Sequence, residues 1–159
     1  MNSDLKLRKL VDDDIIIIEK WLNKKYILKW YECPEEWLNE IKKRDDEFKF
    51  VHHYIAIDNN NPIGFCQYYD CFYAAEDWYK VEQSDTVYSI DYLIGEEKYL
   101  GKGYGNLMIQ LLKEEIKKKT KAKKIIVQPE EENIQSNKLL KSVGFLYDDQ
   151  HKYYYLILN

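Results

Sequence analysis

The chain is sparing with the residues that build special sites: of 159 residues, 3 are cysteine, 3 histidine, 3 proline and 6 glycine. Cys33, Cys66 and Cys71 form no C-x-x-C pair. An odd number of cysteines without an export signal points to reduced thiols rather than a disulfide framework. His52 and His53 are neighbours in an apolar segment that reads as a strand, so they face opposite ways, and His151 stands near the C-terminus. No metal site is expected from so few scattered ligands. Long apolar runs are also missing. None approaches the roughly 20 residues of a membrane span, and the opening MNSDLKLRK lacks the apolar core of a signal peptide, so a cytoplasmic protein with no membrane partner is expected. Basic charge is not in excess either: 28 acidic against 24 basic residues give a net charge of −4. That balance argues against nucleic-acid binding and suits a small cationic partner.

What is present describes a globular protein, with 45% apolar and 33% charged residues. The length suits one domain over 1–159, with nothing to choose between monomer and homodimer. DLKLRKL (4–10) alternates with period two and reads as a strand. Asp12, Asp13 and Asp14 introduce a helix at IIIIEKWL, and Pro34 opens a second whose Trp37, Leu38 and Ile41 face inward, with the aromatic connection 26–33 between them. Residues 49–58 and 62–69 form a hairpin about NNN, and a short helix is expected around Ala74–Lys80. VYSIDYLI (87–94) is a strand. Leu107, Met108, Leu111, Leu112 and Ile116 then recur at helical spacing, 124–129 is a buried strand, and Asn133–Val143 is a helix closed by Gly144. Strands at 145–147 and 153–158 finish the chain. A hairpin set between alternating helices and strands predicts an α/β chain with a sheet of mixed direction.

Half of the scarce glycine falls in KYLGKGYGN (98–106), between that strand and the long helix. Such a loop aims unpaired backbone N–H groups and a positive helix end at one point and so makes an anion site. It is not a P-loop, because Lys102 precedes the last two glycines and no Ser or Thr follows in place, and a dinucleotide fingerprint fails at Asn106. Leu100-Gly101-Lys102-Gly103-Tyr104-Gly105 instead resembles the acetyl-CoA pyrophosphate loop of the GNAT N-acetyltransferases, with Leu100 where the family usually has Gln or Arg. NIQSNKLLKSVGF (133–145) resembles the family's second signature, an Asn opening a helix that ends in Gly-Phe.

The resemblance is closest to the aminoglycoside 6'-N-acetyltransferases, through EKWLNKKYILKWY (19–31), PIGFCQYY (62–69) and above all VYSIDYLIGEEKYLGKGYG (87–105). It implies a mostly antiparallel central sheet with splayed parallel strands flanked by helices. It further implies acetyl-CoA as cosubstrate, with no metal, held by Tyr92, Leu93, Ile94, Leu100, Gly101, Lys102, Gly103, Tyr104, Gly105, Asn133 and Asn137. Acetyl transfer to an aminoglycoside amine is the leading expectation. Another amine (a polyamine, a siderophore precursor or a protein N-terminus) and an acyl-CoA sensor without turnover are the alternatives.

Asp91 stands inside an apolar strand, where Asp is depleted, so its presence needs a reason. By the resemblance it meets the acceptor amine. A carboxylate there attracts an ammonium and takes its proton, directly or through water. The backbone N–H of Leu93 is expected to stabilise the thioester oxygen as it gains charge. Trp30, Tyr31, Glu76, Trp78, Asp91 and Asp149 are the expected substrate contacts, with Asp77 beside them. Gln128 replaces an acid of the relatives, next to Glu130, Glu131 and Glu132. Many family members carry a tyrosine at the position of Leu140, proposed to protonate the departing thiolate; Tyr104 and Tyr147 are the candidates to supply the missing hydroxyl.

Overall fold

Alternation along the central strands sorts the apolar side chains onto two faces, and helices cover both. In the computed structural model, which describes residues 4–159, one sheet contains β1 (Lys6–Lys9), β2 (Val51–Asp58), β3 (Asn61–Asp70), β4 (Val87–Ile94), β5 (Lys124–Val127), β6 (Leu146–Asp148) and β7 (Tyr153–Ile157). Their order is β1-β2-β3-β4-β5-β7-β6, and every neighbouring pair is antiparallel except β4 and β5. The helices are α1 (Ile15–Leu22), α2 (Lys25–Leu28), α3 (Pro34–Lys42), α4 (Cys71–Ala74), α5 (Tyr104–Lys119) and α6 (Ile134–Ser142). None among the described residues is long and apolar enough to cross a membrane.

Met108, Ile109, Leu112 and Ile116 of α5 bury against Tyr54, Cys66, Tyr68 and Ile90 on one face. Ile18, Trp21, Leu22, Leu38 and Ile41 bury against Ile55, Phe65 and Leu93 on the other. His52 and His53 follow the same alternation, stacking on Tyr68 and Phe65 respectively. The edge strand β1 is short and bears Lys6, Arg8 and Lys9, which discourages pairing with another chain.

Two local expectations are corrected. The short helix is not at Ala74–Lys80 but at α4, because Asp70 Oδ1 accepts the Phe72 N–H at 3.0 Å as its cap and Ala75, with φ 47°, ends it in the left-handed region. The aromatic connection 26–33 is not all loop, since α2 occupies its start.

The functional feature of the sheet lies between its parallel strands. β4 stays paired with β3 as far as Ile94, yet it pairs with β5 only at Val87↔Lys124 and Tyr88↔Ile125. Beyond Tyr88 the two strands part, and β5 continues on β7 to Val127. The far end of β4 is held by Trp21, fully buried with its ring against Gly95, whose indole N–H donates to Glu96 at 2.6 Å.

A Cβ on Gly95 would lie 2.1 Å from that ring, and the core gives it nowhere to move. Gly95→Ala should therefore lower stability in urea titrations by about 1–3 kcal/mol. Gly101→Ala, with nothing within 4 Å of its Cβ but φ at +70°, should lose only the roughly 1 kcal/mol of a left-handed alanine.

Candidate active site

A strand whose neighbour leaves halfway exposes backbone groups that some other partner must satisfy. On β4 these belong to the even-numbered residues. Tyr31 Oη donates to the Tyr92 carbonyl and accepts the Tyr92 N–H at 3.2 Å, and Tyr26 Oη donates to the Ile94 carbonyl at 2.7 Å. Just beyond the strand, Lys24 Nζ donates to the Gly95 carbonyl at 2.6 Å. Strand alternation then turns the Leu93 N–H towards its partner Phe65 on β3. This corrects the expectation for Leu93: the β4 amides that face the opening are those of Tyr92 and Ile94. Leu93 contributes its buried side chain to the core beneath α1.

Asp91 projects from β4 into a cavity of about 290 Å³ walled by Trp37, Glu40, Phe50, Gln67, Tyr69 and Glu76 among others. Gln67, directly across the sheet, donates its Nε2 to Asp91 Oδ2 at 2.9 Å. Burial chiefly, helped by the charges of Glu76 and Glu40 and opposed by Gln67, pushes Asp91 up to about 7. Glu40 is likewise pushed up to about 7, by burial first and then by Glu76 and Glu36. Glu76 Oε1 accepts the Tyr69 hydroxyl at 2.6 Å. The pocket thus gathers three carboxylates, whose charges raise Asp91 and Glu40, and a cation would relieve that repulsion. Behind Gln67, both ring nitrogens of His53 and the Gln67 Oε1 are buried without a hydrogen-bond partner, and His53 is pushed down to about 4, mainly by burial.

On the other side of the opening, the chain enters α5 through Gly101 and Gly103, with φ of 70° and 88°, and no side chain caps the helix. The N–H groups of its first turn therefore point out of the helix end as an anion site. Gly105 lets α6 approach, since a Cβ there would lie 2.9 Å from Leu139 Cδ2. Leu100, Gly105, Asn133 and Ser136 share a groove with Tyr26, Trp30, Tyr31 and Tyr92 that runs from this loop to the opening. A second recess containing Asp91, Tyr92, Gln128, Glu130 and Ser136 joins it to the acidic pocket. No group of side chains suited to a metal ion occurs among the described residues.

Several expected site residues lie elsewhere. Trp78 packs edge-on against Tyr153, ring centres 6.0 Å apart, supporting the pocket floor rather than lining it. Asp149 lies in the turn between β6 and β7, exposed and paired with Lys152 at 3.3 Å, away from Asp91. Asn137 spends its amide on the Glu130 and Asn133 carbonyls and on the Tyr154 hydroxyl. Asn133, by contrast, stays in the groove and caps α6, its Oδ1 accepting the Ser136 N–H at 3.1 Å. Lys102 is exposed. Tyr104 directs its hydroxyl at Asp58, 3.4 Å away, and Tyr147 lies half-exposed on β6 against Tyr154, so neither lines the opening. Glu40 and Gln67 were missed from the sequence. Gln67 carried the same signal as Asp91, a polar residue in an apolar strand; Glu40 carried none.

The family model described as "Acetyltransferase (GNAT) domain" matches residues 11–153, and the chain belongs to this acetyltransferase family. It is 26% identical over 154 residues to the aminoglycoside N(6')-acetyltransferases type 1 of Klebsiella pneumoniae and of Serratia marcescens, covering 91% of this chain and 75% of each relative. Among solved structures it is similar to the aminoglycoside acetyltransferase AAC(6')-Ib in complex with coenzyme A, with TM-score 0.82 and 24% identity over 97% of this chain and 95% of that one. The Vibrio cholerae spermidine N-acetyltransferase in complex with CoA and spermine is also similar, with TM-score 0.76 and 18% identity over 98% and 96% of the two chains.

The raised Asp91 ties its ionisation to stability. Below the ordinary carboxylate value of 3.8 the group is neutral whether folded or not; between 3.8 and about 7 only the unfolded chain ionises, which favours unfolding. Asp91→Asn removes that penalty, and its amide can still accept from Gln67. Thermal melts should show the variant gaining stability over wild type between pH 4 and pH 7, with the gain level above that window and absent at pH 3.

Proposed function

We propose that the protein transfers the acetyl group of acetyl-CoA to a primary amine of a polycation, the 6'-amine of an aminoglycoside. The observation that carries this reading is the placing of Asp91, Glu40 and Glu76 around one cavity that opens into the gap between β4 and β5. Carboxylates at several points suit a substrate with several ammonium groups, and Trp37, Phe50 and Tyr69 offer flat faces to its carbon skeleton. The relatives named aminoglycoside N(6')-acetyltransferase support this choice of substrate.

Acetyl-CoA fits the residues present. The uncapped end of α5 with its glycine loop receives the diphosphate, through backbone N–H groups that no side chain can replace. The groove over Leu100, Gly105, Asn133 and Leu139 takes the pantetheine arm, and on the β4 edge, where Tyr31 holds the Tyr92 N–H and carbonyl and Tyr26 the Ile94 carbonyl, the Ile94 N–H is left facing the opening. When bound, the cosubstrate supplies an activated acetyl group as a thioester. Asp91 holds the acceptor ammonium and takes its proton; at about 7 it is well matched to that task near neutral pH. Gln67 fixes the carboxylate. The Ile94 N–H, facing the opening, is the donor we assign to the oxygen that gains charge.

Thiol release in the presence of kanamycin, tobramycin or spermidine tests the reading. Turnover on the aminoglycosides with a much lower kcat/KM for spermidine is expected, and no turnover on a broad aminoglycoside panel would reject the substrate. Asp91→Asn should lose roughly 10²-fold or more in kcat while acetyl-CoA affinity stays unchanged. Glu40→Gln should raise the KM for the amine with little change in kcat, the mark of a contact made equally before and during reaction. For wild type, kcat/KM should rise about tenfold per pH unit below about 7 as Asp91 ionises, and this limb should be missing in the Asp91→Asn variant.

A further inference from the structure

Tyr92 and Asp91 are consecutive on β4, so their side chains leave the strand on opposite faces. Asp91 points into the acidic pocket, whereas Tyr92 reaches across the opening to α6, its hydroxyl 2.5 Å from Ser136 Oγ. Both line the recess that joins acceptor pocket to cofactor groove. An acyl group lying in that recess has the amine's proton acceptor on one side and a pair of hydroxyls on the other.

The position of this pair follows from helix geometry. Side chains on a helix lean towards its N-terminus, so a residue at position 140 covers the turn that contains Ser136. Leu140 is fully buried in the core under α5 and has no donor. The hydroxyl at that spot comes instead from the strand. We propose that the Tyr92 hydroxyl, oriented by Ser136, hydrogen-bonds the departing sulfur of the acetyl thioester and so makes Tyr92 a catalytic residue and Ser136 a positioning residue. This rests on the acetyl-transfer reading.

The step balances as follows. The ammonium gives one proton to Asp91 and on to water; the amine nitrogen bonds to the carbonyl carbon; the C–S bond breaks with its electron pair passing to sulfur. The second nitrogen proton is released as the amide forms, and water returns one proton to the sulfur. Tyr92 is pushed up to about 12, chiefly by burial and also by Asp91, against the lowering effect of Ser136. A thiol titrates near 8.5, so the phenol keeps its own proton and serves as a hydrogen-bond donor, not a proton donor.

The test uses CoA itself as well as turnover. In Tyr92→Phe, kcat should fall about 10- to 100-fold with the KM for acetyl-CoA unchanged, the worth of a hydrogen bond to a charged group. Independently of activity, titrating the bound CoA thiol by its thiolate ultraviolet absorbance should give a pKa roughly one to two units higher in Tyr92→Phe than in wild type, and Ser136→Ala should move it the same way by less. Moving the phenol from strand to helix, in the volume-conserving double variant Tyr92→Leu/Leu140→Tyr, should return both readouts towards wild type. An equal thiol pKa in wild type and Tyr92→Phe overturns the proposal while leaving acetyl transfer intact. Failure of wild type to bind CoA by calorimetry overturns the acetyl-transfer reading and the proposal with it.

Discussion

The site depends on one interaction that stops early, the pairing of β4 with β5. Two register pairs hold the parallel strands together, and then each keeps only its outer neighbour. A backbone edge left open inside a protein is unstable unless something satisfies it. Here the hydroxyls of Tyr26 and Tyr31 and the ammonium of Lys24 do so, all from the segment around α2. Of the edge groups, the Ile94 N–H is left facing the opening. The residues that complete the sheet therefore also border the site, and Trp21 beneath Gly95 fixes how far the edge extends.

Around that opening the protein separates two kinds of charge. The glycine loop and helix end on one side favour an anion without using any side-chain charge. The other side gathers carboxylates in a half-buried cavity, where desolvation and the charges of neighbouring carboxylates lift Asp91 and Glu40 towards neutrality. Opposite electrostatic demands thus meet across a single strand, and the alternation of β4 keeps them apart. Asp91 faces one way, Tyr92 the other, and the even-numbered backbone groups point into the gap between.

Much of this was legible in the sequence because the deciding features are local. The scarce glycines, the strand before them and the apolar spacing after them specify the loop at α5, and an aspartate in an apolar strand announces itself. The hairpin, the long helix and the mixed sheet follow from period and turn signals. What escaped depends on distances between segments far apart in the chain. Glu40 looks like any solvated residue of α3 until the sheet brings Asp91 and Glu76 to it. Leu93 could not be told from Ile94 as a donor without knowing which neighbour β4 keeps. The resemblance implies Trp78 and Asp149 as substrate contacts, yet one supports the site's floor and the other stays in solvent on a turn.

The central claim is that an open strand edge and an uncapped helix end together form the seat of the acyl donor. Amide hydrogen exchange of the folded protein, with and without saturating CoA, tests it most directly. The account requires new protection at Ile94 and across residues 101–106, with β1 and the start of β2 unchanged. Equal exchange at those amides in both conditions, with CoA demonstrably bound, would place the cosubstrate elsewhere and contradict the account.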